Sequence, residues 1–115
     1  MKVLFDTSVV VYMLSTPNNL TDQLNAAFGL VEFITITPVI RELKGLKRDG
    51  RVASRYTNFR WDNIIEIDGR ADDALVNVSV DMGMPVITLD LDLARRLKGA
   101  GASCYTLSGN KLIRY

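Results

Sequence analysis

The sequence contains no histidine and only one cysteine, which excludes several kinds of catalytic and metal site. Without imidazole it cannot build a Ser-His triad, a histidine general base or a histidine zinc site. A single cysteine excludes an internal disulfide and a cysteine zinc cluster, and Cys104 stands in an apolar stretch, which predicts a buried structural thiol. Acid-base or nucleophilic catalysis must therefore use carboxylates or metal-bound water.

The sequence also lacks a long apolar run. The apolar start from Met1 to Leu14 is interrupted by Asp6-Thr7-Ser8, which favours a first strand and helix over a signal peptide. No run approaches the roughly 18 apolar residues that cross a bilayer. With 115 residues, 48% of them hydrophobic, and no repeat or linker, we expect one domain spanning 1-115 in a soluble, cytoplasmic protein without a membrane partner.

Strand-like and helix-like segments alternate along the chain. The predicted strands are 2-5, 33-36, 63-67, 86-89 and 104-107, followed by a short C-terminal segment at 112-113. The predicted helices are 9-14, a segment ending at Gly29, 38-48, about 52-60, a segment ending at Gly83, and 91-98. This alternation is typical of βαβ units and predicts an α/β fold with a parallel sheet of about five strands.

Local patterns predict how several helices begin. Thr7-Ser8, Thr21 and Thr37 each precede a helical segment and are predicted caps, with Pro38 in the first helical position. The segment that starts at Asp72 or Asp73 is apolar nearly all round, which predicts deep packing.

Acidic residues follow strands or open helices at four separated places. Asp6 and Asp90 each end an apolar run, Glu42 flanks the apolar stripe of its helix, and Asp72-Asp73 begin another helix. Carboxyl ends of parallel strands share one edge of a sheet, where ligand sites form. Each aspartate alone is commonly a cap or turn residue, but four convergent carboxylates need a hard divalent cation to offset their repulsion. We therefore expect a metal site.

Half of the basic residues lie between positions 41 and 60, where seven bases oppose two acids for a net charge of +5. The candidate RNA-binding residues are Arg41, Lys44, Lys47, Arg48, Arg51 and Arg55, followed by Arg60. Tyr56, Phe59 and Trp61 are interleaved, a combination suited to nucleic acid, although Phe59 and Trp61 fit equally in the core. Arg95, Arg96 and Lys98 form a second basic group that either holds RNA or solvates a helix end.

The order of these motifs resembles the PIN-domain family of metal-dependent ribonucleases. The matching pieces are Phe5-Asp6-Thr7-Ser8, Thr37-Pro38-Val39-Ile40-Arg41-Glu42-Leu43, Ala71-Asp72-Asp73-Ala74-Leu75-Val76 and Val86-Ile87-Thr88-Leu89-Asp90-Leu91-Asp92-Leu93. The part from Ala71 onward looks most like PIN proteins of ribosomal RNA processing and stand-alone archaeal relatives. The short length is also similar to toxin-type PIN proteins.

The resemblance implies a three-layer α/β/α fold around the central parallel sheet. It implies Mg²⁺ or Mn²⁺ held by Asp6, Glu42, Asp73 and Asp90, which activates water for cleavage of RNA. For the third ligand the family pattern favours Asp73 over Asp72, which then caps its helix. Asp92 is either a further metal ligand, direct or through water, or a helix cap.

Four polar residues are candidate supporting groups: Thr7, Ser8, Asn77 and Thr88. The hydroxyls could orient water or phosphate, although capping alone explains Ser8, and Asn77 lies one turn beyond Asp73, where a plain surface amide is the simpler interpretation. The resemblance further implies a homodimer and either an antitoxin or a ribosome-assembly partner.

Two alternatives to the nuclease stay open. One is a catalytically silent PIN fold that binds RNA or a protein. The other is a phosphoacceptor receiver domain, which fits less well because Asp6 is followed by Thr7-Ser8 rather than by a second acid, and the phosphorylated residue would be Asp68.

Overall fold

The computed structural model describes residues 1-46 and 59-115. Its strands are β1 (Lys2–Phe5), β2 (Glu32–Ile36), β3 (Asn63–Ile65), β4 (Val86–Ile87), β5 (Cys104–Ser108) and β6 (Lys111–Arg114). Its helices are α1 (Thr7–Ser15), α2 (Leu20–Phe28), α3 (Thr37–Gly45), α4 (Ala71–Met82) and α5 (Leu91–Gly99). The end of the helix predicted to reach Arg48 and most of the helix predicted at about 52-60 lie outside the described residues, and Phe59 and Arg60, which are described, are not helical.

The strands form one sheet in the order β3-β2-β1-β4-β5-β6. The first five strands pair in parallel and β6 pairs antiparallel with β5, so the predicted sheet of about five parallel strands is confirmed and extended by one. Gly109 and Asn110 form the two-residue loop before β6, and Gly109 supplies the positive φ of 60° that such a hairpin turn needs.

The central strands are buried on both faces. Val3, Leu4 and Phe5 of β1 are all buried, as are Val86 and Ile87 of β4. Side chains of a strand alternate between faces, so a run that is buried throughout lies between two covering layers. The architecture is the expected three-layer α/β/α arrangement.

Aromatic rings extend this core at the β1-β2 side. The ring of Phe5 lies 4.9 Å from Phe33 and 6.1 Å from Trp61, measured between centroids, and the rings of Phe59 and Trp61 lie 4.4 Å apart in a tilted arrangement. Phe59 and Trp61 therefore belong to the core, as the second interpretation of the sequence allowed.

Helix α4 is less deeply packed than its composition predicts. Its buried residues recur at helical spacing: Ala71, Ala74, Leu75, Val78 and Ser79. Val80 and Met82 are 49% and 57% exposed, so the prediction of burial nearly all round is wrong. Gly83 ends the helix in the left-handed region, as predicted.

The predicted caps are mostly displaced by one residue. Helix α1 begins at Thr7 with Asp6 as its N-cap, and α2 begins at Leu20 with Asn19 as its N-cap, so Thr7-Ser8 and Thr21 are not caps. Thr37 is the first residue of α3, and its hydroxyl instead bonds the backbone of Ile67. No helix in the described part of the chain is long and apolar enough to cross a membrane.

Cys104 provides a test of the packing. The residue is 2% exposed, which confirms the buried thiol predicted from the sequence. Burial raises the pKa of the thiol to about 11, and the charge of Asp6 adds to this effect. At pH 8 the native protein should react with a chromogenic disulfide reagent far more slowly than the unfolded protein.

The same raised pKa predicts a pH dependence of stability. The folded state disfavours the thiolate, so this contribution is intact below the unfolded value near 9 and is lost as the pH rises through about 11. Urea unfolding of the parent should lose more stability between pH 9 and 11 than that of Cys104→Ala. Equal losses would contradict the assignment.

Candidate metal and nucleic-acid site

The site lies where the order of the strands reverses. From β1 the chain adds β2 and β3 on one side of the sheet and β4, β5 and β6 on the other. The carboxyl ends of β1 and β4 flank this switch point, which is where ligands bind in open α/β sheets. Asp6 follows β1, and Thr88 and Asp90 follow β4.

Asp6 is buried at this point and is held by two hydroxyls. It is 5% exposed, and its Oδ2 accepts hydrogen bonds from Ser8 Oγ at 2.9 Å and from Thr88 Oγ1 at 2.6 Å. Both hydroxyls in turn accept backbone N–H groups, from Leu89 and Asp90 respectively. Because each hydroxyl has a fixed donor and a fixed acceptor, the carboxylate is held in one orientation.

This arrangement leaves the second oxygen of Asp6 available. Among the hydrogen bonds of residues 1-46 and 59-115, none reaches Oδ1. A carboxylate with one oxygen engaged by protein and one free can offer a single oxygen to a cation.

Glu42 approaches the same place from α3. Its Oε1 accepts a hydrogen bond from Thr7 Oγ1 at 2.9 Å. Partial burial raises the pKa of Glu42, the bond from Thr7 opposes that rise, and the charges of Asp6 and Asp72 add to it. Thr7, at the start of α1, thus holds an acidic side chain of another helix.

Asp72 approaches from the first turn of α4. Partial burial raises its pKa, and the charges of Asp6 and Asp90 raise it further, while Arg96 lowers it. Such mutual effects require the charges to be close together in space. The structure therefore places Glu42 within electrostatic reach of Asp6 and Asp72, and Asp72 within reach of Asp6 and Asp90, although the four acids come from four separate elements.

Asp73, which the family pattern favours as the third ligand, lies on the exposed side of α4. Its Oδ1 forms an ion pair of 2.7 Å with Arg96 Nη2, and the pair is about half exposed. Asp72 shares a helical face with the buried Leu75 and Ser79, whereas Asp73 shares one with the exposed Asn77. Helical spacing in the sequence already contained this distinction. Asn77 is a surface amide on that outer face.

Neither aspartate caps α4. The helix begins at Ala71, its N-cap is Arg70, and no side chain caps it. The prediction that one of Asp72 and Asp73 is a cap is therefore wrong.

Asp90 caps a helix, whereas Asp92 forms an ion pair at the surface. Asp90 is the N-cap of α5, and its Oδ1 accepts the backbone N–H groups of Asp92 at 3.0 Å and Leu93 at 3.3 Å. Asp92 has a side chain that is 89% exposed and pairs with Arg95 at 2.9 Å. Asp92 is thus neither the cap nor one of the acids that raise the pKa of Glu42 or Asp72.

The donor chemistry at the switch point fits a hard cation. All four side chains there present carboxylate oxygens, and their mutual repulsion falls when a positive ion is bound. In the part of the chain that the structure describes, however, no three acidic side chains are already arranged to hold one ion. Mg²⁺ commonly uses only one or two carboxylates, with water and substrate phosphates completing its coordination.

The structure describes only some of the basic residues that are candidate RNA contacts. Arg41 and Lys44 are exposed on α3, the helix that carries Glu42, and Arg41 Nη2 lies 3.5 Å from the carbonyl of Gly69. Lys47, Arg48, Arg51, Arg55 and Tyr56 lie outside the described residues. Arg96 places a guanidinium beside the acidic cluster.

Comparison with known proteins identifies the fold. The structure described as the PIN domain endonuclease Utp24 superposes with a TM-score of 0.79 at 22% identity, over 98% of this chain and 90% of that one. A domain of a functionally unknown protein from Methanocaldococcus jannaschii DSM 2661 superposes with a TM-score of 0.63 at 16% identity, over 94% and 91% of the two chains. No family model matches the sequence, and no curated protein does.

The hydroxyls around Asp6 should contribute measurably to stability. Thr88→Val removes a buried donor to a buried carboxylate, which we expect to cost about 1–3 kcal/mol of unfolding free energy. Thr21→Val, on the exposed surface of α2, is the matched control and should change stability by less than about 0.5 kcal/mol. Urea unfolding of both variants measures the difference, and equal stabilities would show that the Thr88 bond is not formed.

Asp72 and Asp73 can be separated by binding alone. Asp72→Asn should weaken Mn²⁺ binding, which calorimetry or the Mn²⁺ electron paramagnetic resonance signal measures, by about tenfold or more, because it removes an acid coupled to Asp6 and Asp90. Asp73→Asn should leave the affinity within about twofold, since its charge is already paired with Arg96. The reverse order would restore Asp73 as the ligand.

Proposed function

We propose that this chain, which has the PIN-domain fold, is a Mg²⁺- or Mn²⁺-dependent endoribonuclease. The observation that supports this most is the position of Asp6 at the switch point of the sheet, held by Ser8 and Thr88, with Glu42 and Asp72 close enough for its charge to raise their pKa values. Carboxylates that lie close together without neutralising cations destabilise a fold, so such clusters are typical of sites that bind a ligand. One of the similar structures is described as a PIN domain endonuclease.

The four acids would hold the cation, with Asp6 offering its free Oδ1. When bound, such an ion lowers the pKa of a water and offsets the negative charge that grows on a phosphodiester during hydrolysis. Asp72 replaces Asp73 in this assignment, and Asp92 is left out of it. We expect cleavage to leave a 5′-phosphate and a 3′-hydroxyl.

Hydroxyl side chains keep the acids in position for this task. Ser8 and Thr88 fix the Asp6 carboxylate, and Thr7 fixes Glu42. One carboxylate oxygen of Asp90 caps α5, which fixes this carboxylate to the start of the helix. Groups that are oriented before the substrate arrives need little rearrangement during the reaction.

Basic side chains would counter the repulsion between this acidic cluster and RNA. Arg41 and Lys44 are exposed on the helix of Glu42, and Arg96 stands beside Asp72. Contacts of this kind bind phosphates without regard to sequence. The net charge of +5 over residues 41-60 makes this segment the main candidate RNA contact.

A silent PIN fold that binds RNA or a protein is the second candidate. It is favoured by one observation, that no three acids among residues 1-46 and 59-115 already form an ion site. A receiver domain fits poorly, because Asp68 follows β3 at the edge of the sheet, and it is not among the charges that raise the pKa of Glu42 or Asp72.

The wider biological role follows from the resemblance alone. A homodimer, and a toxin paired with an antitoxin or an RNA-processing enzyme with a ribosome-assembly partner, stay predictions. Growth arrest on expression of the parent but not of Asp6→Asn would favour the toxin role.

Cleavage of labelled single-stranded RNA tests the proposal. The parent should cut in Mg²⁺ or Mn²⁺ and not in chelator, and Asp6→Asn should lower kcat by about a hundredfold or more. Asp92→Asn is the matched control and should keep most of the activity, since its carboxylate is exposed and paired with Arg95. RNA binding by a parent that cuts in neither metal would instead support the silent fold.

A further inference from the structure

A cleft outside the acidic cluster is not used by the mechanism above. It encloses about 410 Å³ and is lined by Thr37, Arg41, Glu66, Ile67 and Asp68. One wall is the start of α3, and the other is the loop that follows β3. Glu66, Ile67 and Asp68 are not among the proposed cation ligands.

The two walls are joined by a pair of hydrogen bonds. Thr37 Oγ1 donates to the carbonyl of Ile67 at 3.0 Å and accepts its N–H at 3.1 Å. The loop is thereby fixed to the first turn of α3. Since α3 also carries Glu42, the cleft has a defined position relative to the acidic cluster.

The cleft opens at the same edge of the sheet as the cluster. It lies at the carboxyl ends of β2 and β3, while Asp6 follows the adjacent β1. Neighbouring strands are about 4.8 Å apart, so the cleft is roughly one to two strand spacings from Asp6. This distance is comparable with one nucleotide step in a single strand of RNA.

The lining defines what could occupy the cleft. Ile67 offers an apolar surface for the face of a base, and Arg41 offers a guanidinium for a phosphate. Ionised Glu66 and Asp68 can only accept hydrogen bonds, so the edge of the base that faces them must donate. Guanine has two adjacent donors, N1–H and the 2-amino group, which a carboxylate can bind together.

We propose that the cleft is a nucleotide subsite for a guanosine next to the scissile linkage, with its base edge on Glu66 or Asp68 and its phosphate on Arg41. Uracil presents a single donor between two acceptors, which the carboxylates would repel. As a determinant of where RNA is cut, the subsite rests on the proposed function. Its binding preference does not.

Replacement of one guanosine by inosine tests the subsite, because inosine lacks only the 2-amino group. The affinities of the parent for two short RNAs that differ at this position are measured by fluorescence anisotropy in chelator, which prevents metal-dependent cutting. The guanosine RNA should bind about tenfold more tightly, the effect of one hydrogen bond to a charged group. In Glu66→Gln/Asp68→Asn the preference should fall to about twofold or less, because neutral amide oxygens form weaker hydrogen bonds than carboxylates.

Two further variants make the result specific. Asp81→Asn, an exposed acid on α4, is the matched control and should keep the preference for guanosine. Arg41→Ala should weaken both RNAs by a similar factor and leave their ratio unchanged, as expected for a phosphate contact. Equal binding of the two RNAs by the parent, or a preference that survives in the double variant, would overturn the proposal.

The outcomes also separate the subsite from the nuclease. A parent that discriminates in binding but cuts in neither Mg²⁺ nor Mn²⁺ would refute the proposed function and leave the subsite standing. A parent that cuts RNA without regard to guanosine, and binds both RNAs alike, would refute the subsite alone.

Discussion

The buried carboxylate of Asp6 is the constraint on which the rest of the site depends. Burying a charge is costly unless hydrogen bonds replace its hydration. Ser8 and Thr88 supply those bonds, and because Ser8 belongs to α1 and Thr88 follows β4, the carboxylate joins the two sides of the switch point. One of its oxygens accepts these two bonds, and the other has no hydrogen-bond donor among the described residues. Structure and proposed chemistry thus share a single side chain.

The surrounding acids divide into two groups according to whether an arginine neutralises them. Asp73 pairs with Arg96 and Asp92 pairs with Arg95, both at the surface. Glu42 and Asp72 instead have raised pKa values because they are partly buried and repelled by other carboxylates, Asp6 in both cases. Repulsion among these carboxylates lowers stability locally, and a bound cation would remove that repulsion. This is the pattern expected of a functional site.

Much of this arrangement was predictable from the sequence, for physical reasons. An apolar run that ends in aspartate marks the end of a central strand, and the alternation of strands and helices specifies a parallel sheet, so Asp6 and Asp90 were correctly placed at one edge. Which of Asp72 and Asp73 lies nearer the core depends on which side of α4 is buried, and helical spacing indicates this whereas the motif pattern does not. The predicted cap of α1 differs from the observed one because Ser8 bonds within the first turn and Thr7 bonds another helix. The predicted cap of α2 is two residues from Asn19, within the usual uncertainty of a helix boundary. The exposure of Val80 and Met82 reflects tertiary packing that composition does not reveal.

The central claim is that these carboxylates share a divalent cation. Anomalous diffraction from crystals of the protein soaked in Mn²⁺ tests it most directly, because the signal locates the ion independently of any activity. We predict one or more peaks at the switch point, in contact with Asp6 and shared among Glu42, Asp72 and Asp90, with none on Asp73 or Asp92. Saturating Mn²⁺ that leaves this place without a peak would contradict the account.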